Sequence, residues 1–120
     1  MKVVFFSESG IVGKVDRKFP NARNDIAWSI MMNADWCPYG KTPTEKYDLG
    51  VVTIPKTKPD LDVDWFKQHC DKIAIMQEGP HWYFQDYSVE QQFQFVENLR
   101  KADWVWCHNK SDVSYYKGLG

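Results

Sequence analysis

An acid–base pair directly follows a short apolar run in the middle of the chain. The run KIAIM, residues 72–76, leads into QEGPHWYFQD, which contains Glu78 and His81. Histidine exchanges protons near neutral pH, and a neighbouring carboxylate orients the imidazole or binds hydroxyl groups. The rings of Trp82 and Tyr83 come next and offer flat apolar faces for stacking. The loop therefore predicts a proton-transfer or ring-binding site, against the alternative of a capped loop whose aromatics fill the core.

Two glycines follow the first apolar run of the chain. The segment SESGIVGKV contains Gly10 and Gly13, and glycines let backbone amides approach a phosphate or a sugar closely. Their spacing matches neither GxGxxG nor GxxxxGK[ST], which excludes the dinucleotide fingerprint and the Walker loop. A ligand-binding loop and a simple turn both remain open interpretations.

A third polar group, His108 and Asn109, follows the apolar run at residues 103–107. Asn109 also fits the cap of a following helix.

The three cysteines and three histidines show neither CxxC nor HExxH spacing, so no metal site is predicted. The widely spaced cysteines are typical of reduced thiols. No GxSxG nucleophile elbow is present.

Four short apolar runs predict the strands that would position these groups. They are residues 2–6, 49–54, 72–76 and 103–107. The first three are almost continuously apolar, which is typical of parallel strands covered on both faces.

Amphipathic segments alternate with the runs and predict helices at residues 24–33, 62–70, 88–102 and 109–118. The third begins with SVEQ, a capping box in which Ser88 and Gln91 bond reciprocally. The predicted core-facing residues are Ile26, Ala27, Ile30 and Met31; Val63, Phe66 and Cys70; and Val89, Phe93, Val96 and Leu99.

This alternation predicts one α/β domain over residues 1–120, a three-layer, Rossmann-like α/β/α sandwich with a mostly parallel sheet. The polar stretches at residues 7–24 and 34–48 are predicted as long loops. Ligands of such sheets bind outside the carboxyl ends of the strands, where all three polar groups stand.

The formal net charge of -1 offers no overall attraction to nucleic acid. The first apolar run is too short for a secretory signal, and no run approaches the ~20 residues of a membrane span. We therefore expect a cytoplasmic protein that has neither a nucleic-acid partner nor a membrane span.

The segment KADWVWCHNKSDVSYYKGL resembles the end of the N-terminal domain of two-Rossmann-domain (GT-B) glycosyltransferases of the group 1/family 4 type. In that family an Ala-Asp pair, an apolar strand and a small polar cap open a short helix. Here Ala102, Asp103 and Asn109 occupy those positions, and YDLGVVTIPK resembles a strand in the second half of such domains.

The resemblance implies transfer of a sugar from a nucleotide-sugar donor to a sugar-bearing acceptor, without a cofactor, in a cleft between two domains. It implies that Gly10 and Gly13 approach the donor phosphates and that His81 contacts the donor sugar beside Glu78. The chain would be the acceptor-side half, and the C-terminal donor-binding domain would be its missing partner. We therefore expect that the 120 residues alone bind weakly and do not turn over.

The alternative is a non-enzymatic, flavodoxin-like module that works by protein contact. Its exposed aromatic residues, Trp82 and Tyr83 among them, would then form a partner surface rather than a sugar platform.

Overall fold

The computed structural model describes residues 1–18, 24–54, 61–77, 86–107 and 117–118. These ranges contain five strands and three helices. In chain order they are β1 (Val3–Ser7), α1 (Asn24–Met31), β2 (Asp35–Pro38), β3 (Tyr47–Thr53), α2 (Val63–Lys67), β4 (Cys70–Gln77), α3 (Val89–Lys101) and β5 (Trp104–Cys107).

The five strands form one sheet in the order β2-β1-β3-β4-β5, and every neighbouring pair is parallel. This confirms the predicted α/β class and the small Rossmann-like fold. The order is the flavodoxin-like one and differs from the 3-2-1-4-5-6 order of dinucleotide-binding domains. The strand order reverses at β1, because the chain adds β2 on one side and β3 on the other.

Two hydrophobic clusters, one on each face of the sheet, confirm the three layers. On one face α1 covers β1, β2 and β3, and on the other α2 and α3 pack together. The first cluster contains Val3, Phe5, Ile26, Ala34, Trp36, Leu49, Val51, Ala74 and Met76. The second contains Val4, Phe6, Tyr47, Val52, Ile54, Val63, Phe66, Cys70, Ile73, Ile75, Phe95 and Leu99.

The prediction of a continuous loop at residues 34–48 is wrong, because β2 lies within it. Trp36 is buried at 3% exposure, and its indole N–H donates to the Ser29 hydroxyl at 3.0 Å. Tertiary contacts rather than a long apolar run make this segment a strand. Residues 39–46, which carry the chain on to β3, contain neither helix nor strand.

Helix α1 buries only part of the predicted stripe: Ile26 is buried and Ile30 packs against the core, but the other two residues are exposed. Met31 is 85% exposed and Ala27 is exposed, whereas Ile26 and Ser29 are buried. The Ser29 hydroxyl donates to the Ile26 carbonyl at 2.8 Å while it accepts from Trp36. A small polar residue with both bonds satisfied therefore faces the core where the apolar pattern predicted Met31.

Helix α2 ends earlier than predicted, and Cys70 belongs to β4. The amides of Gln68 and His69 donate to carbonyls three residues back, at 3.2 and 3.0 Å, which tightens the last turn. Cys70 remains buried at 1% exposure, as the pattern predicted, but from the strand.

The capping box at the start of α3 is confirmed. The Gln91 amide donates to the Ser88 hydroxyl at 3.1 Å, and the Gln91 side chain accepts from the Ser88 amide at 3.1 Å. Val89 and Phe93, predicted to face the core, are each 69% exposed. The buried face carries Phe95, Asn98 and Leu99 instead.

Most of the predicted last helix lies outside the described residues; Lys117 and Gly118 are helical. Among the described helices, none is both long and apolar enough to cross a bilayer.

Candidate functional site

The carboxyl ends of the parallel strands meet at one edge of the sheet. The register pairs Phe6 with Val52 and Thr53 with Met76. Strand β4 ends beside β5, where Gln77 pairs with Cys107. The segments that follow β1, β4 and β5 therefore leave from the same edge. With one strand between them, β1 and β4 are separated by ~10 Å.

The loop after β1 begins with two hydroxyl groups held together. The Ser7 and Ser9 hydroxyl oxygens lie 2.6 Å apart, and the Ser9 amide donates to the Ser7 hydroxyl at 3.2 Å. Ser7 is buried at 7% exposure, whereas Ser9 is exposed. This pair lies at the point where the strand order reverses, the usual ligand position of such sheets.

The two glycines of this loop both adopt the left-handed conformation, with φ of 79° at Gly10 and 75° at Gly13. Gly13 pairs with the outer edge of β2: its amide donates to the Trp36 carbonyl at 3.1 Å and its carbonyl accepts from the Trp36 amide at 2.8 Å. The Gly13 amide is thus engaged within the protein. The predicted donor-phosphate contact consequently falls to the Gly10 part of the loop.

Tyr39 connects the ends of three strands at this edge. Its amide donates to the Ser7 carbonyl at 3.0 Å, and its hydroxyl donates to the Thr53 carbonyl. Its ring packs edge-on against Phe66 of α2, with centroids 6.0 Å apart. This residue follows β2 directly and holds the carboxyl ends of β1 and β3 in place.

Burial raises the pKa of the Tyr39 hydroxyl well above its ordinary value, and the nearby Glu8 carboxylate raises it further. The hydroxyl therefore stays protonated at working pH and acts as a structural donor rather than an acid or base. Glu8 itself is exposed beside the serine pair. The described part of this edge thus presents hydroxyls and a carboxylate, groups that bind sugar hydroxyls well.

The remaining predicted site residues lie outside the described residues. They are Glu78, His81, Trp82 and Tyr83 after β4, and His108 and Asn109 after β5. Their predicted roles stay predictions.

Cys37 of β2 and Cys70 of β4 form no disulfide bond and are thiols. Burial raises the pKa of Cys70 to about 12, with a smaller contribution from Asp71. Burial also raises the pKa of Cys37. Neither thiol has the depressed pKa of a nucleophile. Among the described residues, no three side chains of His, Cys, Asp or Glu are grouped to hold a metal ion.

Sequence reasoning missed Tyr39 because it fell in the stretch taken for a loop. The sequence Pro38-Tyr39-Gly40-Lys41 does indicate a turn. In the structure it is one: Gly40 has φ of 86°, and the Lys41 amide donates to the Pro38 carbonyl at 3.2 Å. A glycine at the third position of such a turn supplies that conformation. The turn places Tyr39 at the edge, but the turn residues do not reveal what its hydroxyl contacts.

Comparison with protein-family models, with curated proteins and with solved structures gave no match.

Proposed function

We propose that this chain is the acceptor-side domain of a glycosyltransferase, which transfers a sugar from a nucleotide-sugar donor. The observation that carries the proposal is the shared carboxyl edge. Gln77, which immediately precedes Glu78, ends beside Cys107, and Thr53 pairs with Met76 one strand further in. The loops that the resemblance assigns to sugar and phosphate therefore start from one side of one sheet.

The described chemistry of this edge suits a sugar better than a bare phosphate. Ser9 presents an exposed hydroxyl, and Glu8 adds a negative charge that would repel an anion. The Gly13 amide is used by Trp36, which leaves fewer backbone donors for a phosphate. These features support an acceptor-side role, in which most recognition of the nucleotide belongs to another domain.

The roles within this proposal follow the resemblance. Gly10 approaches the donor phosphates, His81 contacts the donor sugar, and Glu78 assists as a proton acceptor or hydroxyl ligand. Trp82 and Tyr83 provide stacking faces. Tyr39 and Ser7 position the edge without touching the substrate.

Amide chemical-shift mapping of the 120-residue chain tests the proposal. We expect millimolar UDP-glucose, GDP-mannose and simple glycosides to shift the amides of residues 7–11 before others. Replacement Ser9→Ala should weaken this binding severalfold, whereas the exposed control Thr44→Ala should not. Shifts confined to other parts of the sheet, or none at all, would contradict the proposal.

A transfer assay tests the proposed division of roles between two domains. We expect transfer only when the chain is joined to a second α/β domain that recognises the nucleotide. Micromolar donor binding by the 120 residues alone, or measurable transfer by them, would overturn the division of roles.

A flavodoxin-like interaction module is the second candidate, and the strand order β2-β1-β3-β4-β5 favours it specifically. Exposed Val89 and Phe93 on α3 would then belong to a partner surface. Light scattering separates the two candidates. A stable dimer that Phe93→Ser dissolves would support the module, and a monomer would favour the transferase half.

A further inference from the structure

A cavity of about 240 Å³ lies on the α1 face of the sheet, beside the amino ends of β3 and β4 and along β5. It is lined by Met1, Asp48, Leu49, Lys72, Trp104 and Trp106. Leu49 pairs with Lys72, and Ala74, two residues further along β4, pairs with Trp104. Trp106 pairs with Met76, so the cavity follows β5 toward the carboxyl edge, but none of its lining residues belongs to the loop after β1.

Two indole rings form the apolar wall of the cavity. Trp104 and Trp106 alternate along β5 and project to the same face. Trp106 is held by Trp28 of α1 in an edge-on contact with centroids 5.5 Å apart. Trp104, by contrast, is 51% exposed, and among the described residues no acceptor receives its indole N–H. The wall is therefore a half-exposed aromatic surface.

Charged groups of both signs form the rim. One oxygen of Asp48 accepts the Lys2 amide at 2.7 Å. The Lys72 ammonium lies 3.8 Å from Asp103, and its side chain is 60% exposed. An ion of either sign would be attracted by one of these charges and repelled by the other, so the rim favours no net charge, whereas hydroxyl groups bond to both. A purely apolar ring would cover both charges without replacing their bonds to water.

We propose that this cavity binds one uncharged sugar ring. A pyranose has an apolar face that stacks on the Trp104 indole and hydroxyls that reach the rim. Those hydroxyls donate to Asp48 and accept from Lys72 and the indole N–H. The volume is below the ~300–1,000 Å³ of pockets for drug-sized ligands, which suits a single ring. The inference goes beyond the proposed function, because the site binds a sugar whether or not the chain belongs to a transferase.

Indole resonances provide the test. The chain has six Trp residues, and Trp104→Phe assigns the Trp104 indole N–H by removing it from the spectrum. Titration with methyl glycosides of glucose, galactose, mannose and N-acetylglucosamine should shift this resonance more than the other indoles. We expect Trp104→Ala to weaken the best binder roughly tenfold. Trp104→Phe keeps a ring and should lose less, and Asp48→Asn should weaken binding severalfold.

Met31→Ala is the control, since it removes an exposed apolar side chain that does not line the cavity, and it should leave sugar binding unchanged. The proposal is overturned if no glycoside shifts the Trp104 indole, or if Trp104→Ala binds as wild type does. It is also overturned if light scattering shows a dimer that Trp104→Ala dissociates, because the cavity is then a protein interface. Binding of nucleotide sugars beside β1 is read from residues 7–11, none of which lines the cavity, so the two proposals can fail separately.

Discussion

At the scale of single residues, an ion pair and a hydrogen bond meet on Asp35, at the start of β2. The Lys14 ammonium lies 3.1 Å from one carboxylate oxygen, and the Tyr47 hydroxyl donates to the other at 2.8 Å. Burial acts to raise the pKa of Asp35, but the hydrogen bonds from Tyr47 and Lys14 and the Lys14 charge outweigh it. The pKa therefore lies below its ordinary value.

A carboxyl group whose pKa is lowered by folding stabilises the folded state above its unfolded pKa of ~3.9. This stabilisation is lost as the pH falls through the lower, folded value. We expect Tyr47→Phe to raise the pKa of Asp35, because it removes a donor to the charged form. Acid unfolding should then begin at a higher pH. Carbon-13 NMR titration of the Asp35 carboxyl and circular dichroism against pH check both effects.

The variant Tyr87→Phe serves as the control, because Tyr87 precedes α3, whereas the hydroxyl that donates to Asp35 is that of Tyr47. An Asp35 pKa that is equal in Tyr47→Phe and wild type would show that the hydrogen bond contributes nothing.

At the scale of elements, α2 and α3 are connected by one fully buried amide side chain. Asn98 of α3 accepts the Val63 amide at 3.3 Å and donates to the Leu61 carbonyl. Its oxygen also accepts from Gln94 at 3.1 Å. The first turn of a helix has amides without intrahelical partners, and Asn98 satisfies one of them for α2. The Asn98 side chain is fully buried, at 0% exposure, where it makes these hydrogen bonds.

We predict that Asn98→Ala lowers the free energy of unfolding by about 2–3 kcal/mol, because it leaves buried backbone groups without partners. Glu97→Ala on the same helix is the control, since Glu97 is exposed and its carboxylate lies 3.9 Å from the Arg100 guanidinium at the surface. Its cost should stay within ~0.5 kcal/mol. Urea denaturation followed by circular dichroism measures both, and equal costs would contradict the assigned role of Asn98.

At the scale of the whole molecule, the packing of the Cys70 and Ile73 side chains of β4 against β3 depends on Gly50. A side-chain carbon built at Gly50 would lie 2.7 Å from the Cys70 sulfur and 3.0 Å from a methyl carbon of Ile73. A glycine is therefore needed at position 50 because a larger residue would clash with these side chains, and not because the backbone there has an unusual angle. The buried Cys70 thiol fills the volume that glycine leaves.

We predict that Gly50→Ala costs about 1–3 kcal/mol by overpacking. In the Cys70→Ala background the penalty should be smaller by at least ~0.5 kcal/mol, since the sulfur is gone and the nearest Cys70 atom is then its β-carbon at 3.3 Å. Thermal or urea unfolding of the four proteins in the cycle gives the coupling. Additive costs would show that the two residues do not compete for the same space.

Much of this molecule follows from local patterns in the chain. Three almost continuous apolar runs predicted buried parallel strands, and SVEQ predicted the start of α3 at Ser88. Such patterns can be recognised in the sequence because apolar runs and helix caps consist of residues that are close together in the chain. The position of Gly10 after the first strand, at the carboxyl edge, was predictable for the same reason.

Only the tertiary structure decided the strand order, the inclusion of β2 and the connection that Tyr39 makes between strand ends. The bonds from Tyr39 to Thr53 and from Asn98 to Leu61 join residues far apart in the chain. The face that α3 buries also depends on its partners, which is why Phe93 is exposed while Asn98 is not. The physical reason is that these choices minimise the free energy of contacts between distant segments, which no single stretch of sequence encodes.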